Sequence, residues 1–357
     1  LALLLRFSIP AGASLRSLVP QQLKLVGLVV LVYGLIYAGV AAGVIDWFQF
    51  SEMESKSMAT IALCGVPLLG FARRPIAFAL IIAMLPLIFL QMESARAERL
   101  NIWRSFFGVH RVVQEKDFVT YFQGTTVHGM QQTDPDRKCL PLTYYYPTGP
   151  AGQVFQSLNQ RGMQHVAVMG LGTGSLGCYA QPGQQWVFYE IDPQVKEIAI
   201  GGDFTFLSDC VPQQTHCDIV LGDGRLRIAE AADGYYDLIV LDVFSSDAIP
   251  MHLLTREAFQ MYRRKLAPRG AILVHISSRF FDLSPLIANL SHELQWQAFV
   301  SQDVELSADE QQEGKTPSDW GLIVEQPSDV EVLRDTARWL KLKRMPKFRT
   351  WTDEYSS

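Results

Sequence analysis

Four carboxylates and one glycine run carry most of the chemistry open to this chain. Gly170-Leu171-Gly172-Thr173-Gly174-Ser175-Leu176-Gly177 follows the apolar segment His165–Met169. Without a Cβ, glycine permits a sharp turn and close approach of a ligand to the backbone. Such a run also suits an ordinary dinucleotide loop or a purely structural turn. Glu190, in FYEID, stands twenty positions after Gly170, where an acid on the second strand of a nucleotide fold hydrogen-bonds ribose hydroxyls. Asp192 can orient Glu190, cap the helix opening at Pro193, or touch the ligand itself. In Gly222-Asp223-Gly224-Arg225, Asp223 can recognise an adenine amino group while the backbone around Gly224 meets the ring. The same side chain can instead cap a helix. Asp242 ends YYDLIVLD, and an acid at that strand end can accept or relay a proton or orient an ammonium. With a reaction-site acid on a later strand, the set favours an adenosylmethionine derivative over NAD.

These residues need a scaffold of short buried strands alternating with helices. Strands are expected at His165–Met169, Trp186–Glu190, Asp218–Leu221, Leu238–Asp242, Ala271–Ile276 and Trp320–Val324. Helices are expected at Pro193–Ile200, Arg225–Ala232, Thr255–Leu266, Leu283–Leu294 and Val330–Trp339, with a further one opening over Gln153–Leu158. That alternation implies an α/β sheet covered on both faces. Joined to the glycine run and acids above, it makes a class I S-adenosylmethionine-dependent, Rossmann-like fold the expectation over 161–357. Ahead of it, 118–160 reads as a short β-rich lead-in with segments Phe118–Thr126, Val127–Gln131 and Leu142–Tyr145, and 93–117 as a linker. Phe204 and Phe206 can cover the adenosyl side or bury a loop. Trp320 supports a late strand or a pocket wall. His128 and His275 are candidate proton relays, although isolated histidines do not by themselves make a triad, and no His/Cys pairing suggests a metal.

PLTYYYPTGPAGQVF, VAVMGLGTGSLG, FYEIDPQV, FTFLSD, GDGRL, YYDLIVLDVFSSDAIPMHLLTREAF, SDWGLIVEQ and the closing WTDEYSS together resemble the spermidine synthase (polyamine aminopropyltransferase) family, especially its membrane-associated bacterial group. The resemblance runs over about residues 115–357. It implies transfer of an aminopropyl group from decarboxylated S-adenosylmethionine to a polyamine or related amine, releasing methylthioadenosine, with no tightly bound cofactor and no metal. It implies cosubstrate contacts at Gly170, Gly172, Gly174, Glu190 and Asp223 and at Gln131. Asp242 falls beside the attacking amine, and Tyr144 or Tyr145 near the transferred chain. Asp247 can bind the far amine or structure the SSDAIP loop. Two departures stand out: Ser245 and Ser246 precede Asp247, and TYYYP lacks the acid usual in the tyrosine motif. Methyl transfer from intact S-adenosylmethionine and non-catalytic sensing of an adenosyl ligand are the alternatives.

The net charge of -5 and the 48% hydrophobic content do not describe a nucleic-acid-binding protein. They average an apolar stretch, 1–92, with an ordinary enzyme-like remainder. Leu25–Ile45 holds no charge in 21 residues, a length that as a helix spans roughly 30 Å, the thickness of a bilayer core. Met58–Ala72 and Ile76–Leu90 flank an Arg73-Arg74-Pro75 turn. Buried helices of one domain are the alternative, but a partial transmembrane region over 1–92 is the expectation. It carries with it a multi-pass inner-membrane location, the lipid bilayer as a partner and a cytoplasmic catalytic domain. A homodimer is allowed. LALLLRF reads as the tail of an earlier apolar helix, so upstream sequence is expected. Of the five cysteines, Cys210 and Cys217 flank VPQQTH and could close a small loop, or stay as free thiols.

Overall fold

The short turns of the first sheet demand left-handed backbone, and the sequence supplies it at Lys116 (φ +50°) and Gly124 (φ +61°). In the computed structural model, which describes residues 99–243, 250–278, 281–335 and 337–355, Arg99–Ser105 (β1), Gly108–Glu115 (β2), Phe118–Gln123 (β3) and Thr126–Gln132 (β4) form an antiparallel meander. Pro150–Gln160 (α1) then opens with proline in its first turn, where the missing N–H costs nothing.

The second sheet follows. Its elements are His165–Met169 (β5), Gln185–Glu190 (β6), Pro193–Ile200 (α2), His216–Leu221 (β7), Gly224–Ala229 (α3), Tyr236–Leu241 (β8), Arg256–Lys265 (α4), Leu266–His275 (β9), Ser284–Glu293 (α5), Gln297–Asp303 (β10), Ala308–Gln312 (α6), Ser318–Val324 (β11) and Leu340–Lys341 (β12). The strand order is β12-β10-β11-β9-β8-β5-β6-β7. β7, β6, β5, β8 and β9 are parallel, whereas β11, β10 and β12 pair antiparallel. Chain order therefore reverses between β5 and β8, and the crevice outside the carboxyl ends of strands at such a reversal is where doubly wound sheets bind ligands.

The central strands are apolar on both faces because helices or turns cover both. Val166 and Val168 point into one core with Phe155 of α1 and Ile198 of α2; Ala167 and Met169 point into the other with Phe259 of α4 and Ile287 of α5. Each such fully buried large side chain contributes roughly 1.5–3 kcal/mol.

Several expectations change. Among the described residues no helix is long and apolar enough to cross a membrane. Leu25–Ile45, Met58–Ala72 and Ile76–Leu90 lie outside the described residues. The fold is thus corrected to an α/β domain with a β-rich sheet and no transmembrane helices assigned, and the multi-pass inner-membrane location and bilayer partner are withdrawn with them. The stretch expected as a linker, 93–117, carries β1 and β2 from Arg99 onward. Leu142–Tyr145 is a turn rather than a strand, with Thr143 at φ +58° bridged to Lys315. In place of a helix over Val330–Trp339 stand short 3-10 turns, with Asp335 accepting from the Ala337 and Arg338 amides. The disulfide joins Cys139 to Cys210, while Cys217 and Cys178 are free thiols.

Candidate active site

Gly170 leaves β5 at the sheet reversal. Its N–H donates to the Tyr189 carbonyl of β6 at 2.8 Å, and Asp242 N donates to the Met169 carbonyl at 2.9 Å. At φ +92°, a Cβ on Gly170 would lie 2.1 Å from the Asp242 carbonyl oxygen, so β8 itself forbids a side chain there. Gly172 and Gly174 continue the turn, the first beneath the His128 carbonyl of β4 and the second against Leu207. The first sheet and the Phe206–Cys210 turn therefore roof the glycine turn.

Glu190 ends β6 with both oxygens engaged: Oε2 accepts from Leu171 N at 3.0 Å and Oε1 from Asp192 N at 2.9 Å. Burial raises its pKa above the ordinary 4.5, against the pull of those backbone amides. The acid is thereby tied to the glycine turn, and lone pairs remain on it for further donors. Asp192 is spent differently. It caps α2 by accepting from Gln194 N, and its Oδ2 meets Ser105 Oγ at 2.5 Å and His110 Nε2 at 3.1 Å. His110 Nδ1 lies 2.8 Å from Tyr121 Oη, and burial lowers its pKa. This chain joins the first sheet to the end of β6.

Asp223 caps α3 through Leu226 N at 3.1 Å and faces His252 Nε2 at 2.9 Å, so the helix-cap role coexists with any ligand contact. Gly224 is the first residue of α3, packed near Met169. Behind it Arg225 makes two 2.7 Å bonds to Asp353, whose other partner is Thr255, the cap of α4. The segment Trp351–Tyr355 is thus tied to α3 and α4.

Asp242 follows β8 beside the glycine turn. Tyr145 Oη donates to its Oδ2 at 2.5 Å, and His275 Nδ1 lies 2.8 Å from Oδ1. Burial, then the neighbouring carboxylate, drives the Tyr145 pKa well above 10, which keeps it a donor. His275 ends β9, stacks on Trp320 at 4.4 Å and 12°, and reaches Ser277 Oγ through Nε2 at 2.8 Å. Tyr144 donates to the Val127 carbonyl, and its ring lies 5.0 Å from that of His275. Tyr145 therefore touches the acid, whereas Tyr144 braces β4 against it.

Gln131 uses its whole amide within the protein. Oε1 accepts from Thr205 N at 2.9 Å; Nε2 donates to the Lys138 carbonyl at 3.0 Å and Thr205 Oγ1 at 3.1 Å. With Lys138–Asp209 and Cys139–Cys210, it clamps the loop after β4 to the Phe206–Cys210 turn. Phe204 and Phe206 are fully buried in the core, and Asp247 lies outside the described residues. The sequence marks His275 as a candidate proton relay, but its contact with Asp242 was not read there. Its signal was its place at the end of the strand after the Asp242 strand, which sets it beside Asp242 across the parallel pair Leu241–Val274.

No family model matches the chain. It is 29% identical over 182 residues to the polyamine aminopropyltransferase of Vibrio vulnificus (strain CMCP6), covering 48% of this chain and 57% of that protein. It is 26% identical over 164 residues to a probable polyamine aminopropyl transferase of Bifidobacterium longum (strain NCC 2705), covering 44% and 33%. The chain is similar to aminopropyltransferases. It spans 57% or less of the length of these two relatives. Neither name carries any indication of membrane association, so the resemblance is corrected to aminopropyltransferases without the membrane-associated group, and no observation supports a homodimer. Among solved structures, a probable spermidine synthase from Corynebacterium glutamicum ATCC 13032 overlays with a TM-score of 0.49 at 13% identity, covering 64% of this chain and 80% of that one.

Proposed function

We propose that the chain is an aminopropyltransferase that moves the aminopropyl group of decarboxylated S-adenosylmethionine onto an amine. The observation that carries this reading is Asp242 itself: a carboxylate held by Tyr145 and His275, beside the glycine turn at the sheet reversal. The similarity to two aminopropyltransferases supports an enzyme using an S-adenosylmethionine-type cosubstrate, without specifying the amine.

The reading assigns each residue a task. Glu190 accepts from ribose hydroxyls, Asp223 and Gly224 border the adenine, and the glycine turn admits the adenosyl group close to the backbone. An alkylamine is an ammonium at neutral pH, with no lone pair to attack. Asp242 binds that ammonium and takes its proton. The freed lone pair attacks the methylene next to the sulfonium, the carbon–sulfur bond breaks, and its electron pair neutralises sulfur as methylthioadenosine. The leaving group is neutral, so the barrier is set mainly by positioning and by desolvating the amine.

The test is product analysis with decarboxylated S-adenosylmethionine, or S-adenosylmethionine, and a panel of mono-, di- and polyamines. Equal amounts of methylthioadenosine and aminopropylated amine are expected. A methylated product with S-adenosylhomocysteine, or no product from either donor, overturns the proposal.

A further inference from the structure

We infer that His275 is a positioning residue, fixed by Ser277 as an Nδ1–H donor that holds the Asp242 carboxyl turned toward the bound amine. The inference rests on the role proposed for Asp242, and it follows from counting hydrogens. Ser277 Oγ accepts from Asp319 N at 2.8 Å and has one hydrogen to give. Two acceptors compete for it: His275 Nε2 at 2.8 Å and the Asp319 carbonyl at 3.5 Å. The shorter bond takes the hydrogen, because hydrogen bonds weaken steeply at the longer distance. Nε2 is then an acceptor, which leaves the hydrogen of the neutral ring on Nδ1, facing Asp242 Oδ1 at 2.8 Å.

The surroundings hold this arrangement in place. The ring stacks on the fully buried Trp320 of β11, with Tyr144 on another side. Asp242 receives Nδ1–H on one oxygen and the Tyr145 hydroxyl on the other. Two donors fix the plane of the carboxylate, so each oxygen offers its remaining lone pair to the amine. The Asp319 carboxyl is the other acid near the ring; burial raises its pKa, which diminishes its pull on the imidazole.

The test uses the chain 1–357 with 15N-labelled histidine, His275 being assigned by difference from His275→Asn. A protonated Nδ1 and an unprotonated Nε2 at neutral pH are expected, and Ser277→Ala should mix the tautomers. An Nε2–H tautomer, or a ring protonated at both nitrogens, overturns the inference whether or not the protein transfers aminopropyl groups. The kinetic arm compares His275→Asn, which keeps a donor near the Nδ1 position, with His275→Phe, which keeps the stacked ring. Loss of one hydrogen bond to a charged group should lower kcat about 10- to 100-fold in the Phe variant, with the Asn variant retaining more. Adenosyl-ligand affinity should hold in both. The opposite order, or equal kcat, overturns the inference. An inactive native protein defeats the proposed function instead, and the tautomer still decides the role of His275.

Discussion

Asp242 and His275 end neighbouring parallel strands, and the histidine Nδ1 stands 2.8 Å from the carboxylate Oδ1. Tyr145 closes the other side of the same carboxylate from the turn that leads into α1. One carboxylate is thus braced by two separate parts of the chain, both buried. Rigid support of that kind is what holds a reacting group within a fraction of an ångström of productive geometry.

Glu190→Gln should weaken binding of methylthioadenosine. The replacement sets an NH2 group against a backbone N–H, either Leu171 or Asp192, and removes the charge that attracts ribose hydroxyls. Calorimetric titration should show a loss of about tenfold or more, the worth of one hydrogen bond to a charged group. Equal affinity would take Glu190 out of the ribose site.

The pH dependence of that binding follows from the raised Glu190 pKa. The ionised form is the better ribose acceptor, so affinity should fall as pH drops through a value above 4.5. The same raised pKa means the folded state binds more protons there than the unfolded state. Glu190 therefore lowers stability as pH rises through that window. Titrations across the acid range should show the decline in the native protein and a flat profile in Glu190→Gln; identical slopes would contradict the assignment.

Reduction of Cys139–Cys210 should lower the Tm. The bridge closes a sequence separation of 71, and chain entropy alone makes such a loop worth about 4 kcal/mol, with 2–4 commonly measured. Cys139→Ser should reproduce the loss without reductant, whereas Cys217→Ser should leave the response to reductant intact. A Tm insensitive to reductant in the native protein would show that the bridge is absent or contributes nothing.

Asp353→Asn should cost only about 1 kcal/mol at neutral pH, because the Arg225 pair it breaks is half-exposed and screened. Hydrogen bonds from Arg225 hold the Asp353 pKa down at about 2. The stabilisation it gives is present above the ordinary value near 3.8 and is lost as pH falls toward 2. Urea unfolding at pH 7 and pH 3 should show the gap to the native protein narrowing at the lower pH; a constant gap would contradict this.

β5 to β9 and β11 were legible in the sequence as short apolar runs. Four of them are closed or followed by a glycine or an acid: Gly170 after β5, Glu190 in β6, Asp223 after β7 and Asp242 after β8. β10 and β12 were not read. Nor were β1 and β2. Their apolar residues are interrupted by Arg104, His110 and Arg111, and Phe106-Phe107 gives no turn signal. The helix caps at Asp192 and Asp223 were legible, but the other partners of these acids and those of Gln131 were hidden. Local sequence shows a side chain that can cap or bind, while His110, His252 and Thr205, which claim part of that capacity, arrive from distant segments. The Cys210 partner was missed for the same reason: Cys217 is near in sequence, but β7 carries it away from the turn that holds Cys210.

The central claim is that Asp242 accepts the proton of the attacking amine. The direct measurement is methylthioadenosine release by the native protein and Asp242→Asn at saturating donor and amine, with methylthioadenosine affinity determined in parallel. Asn preserves the size of the side chain and can still accept from Tyr145 or His275, but it is not a base. Release should fall about 100- to 10,000-fold while affinity stays within about twofold. Equal turnover in a folded Asp242→Asn variant would contradict the account.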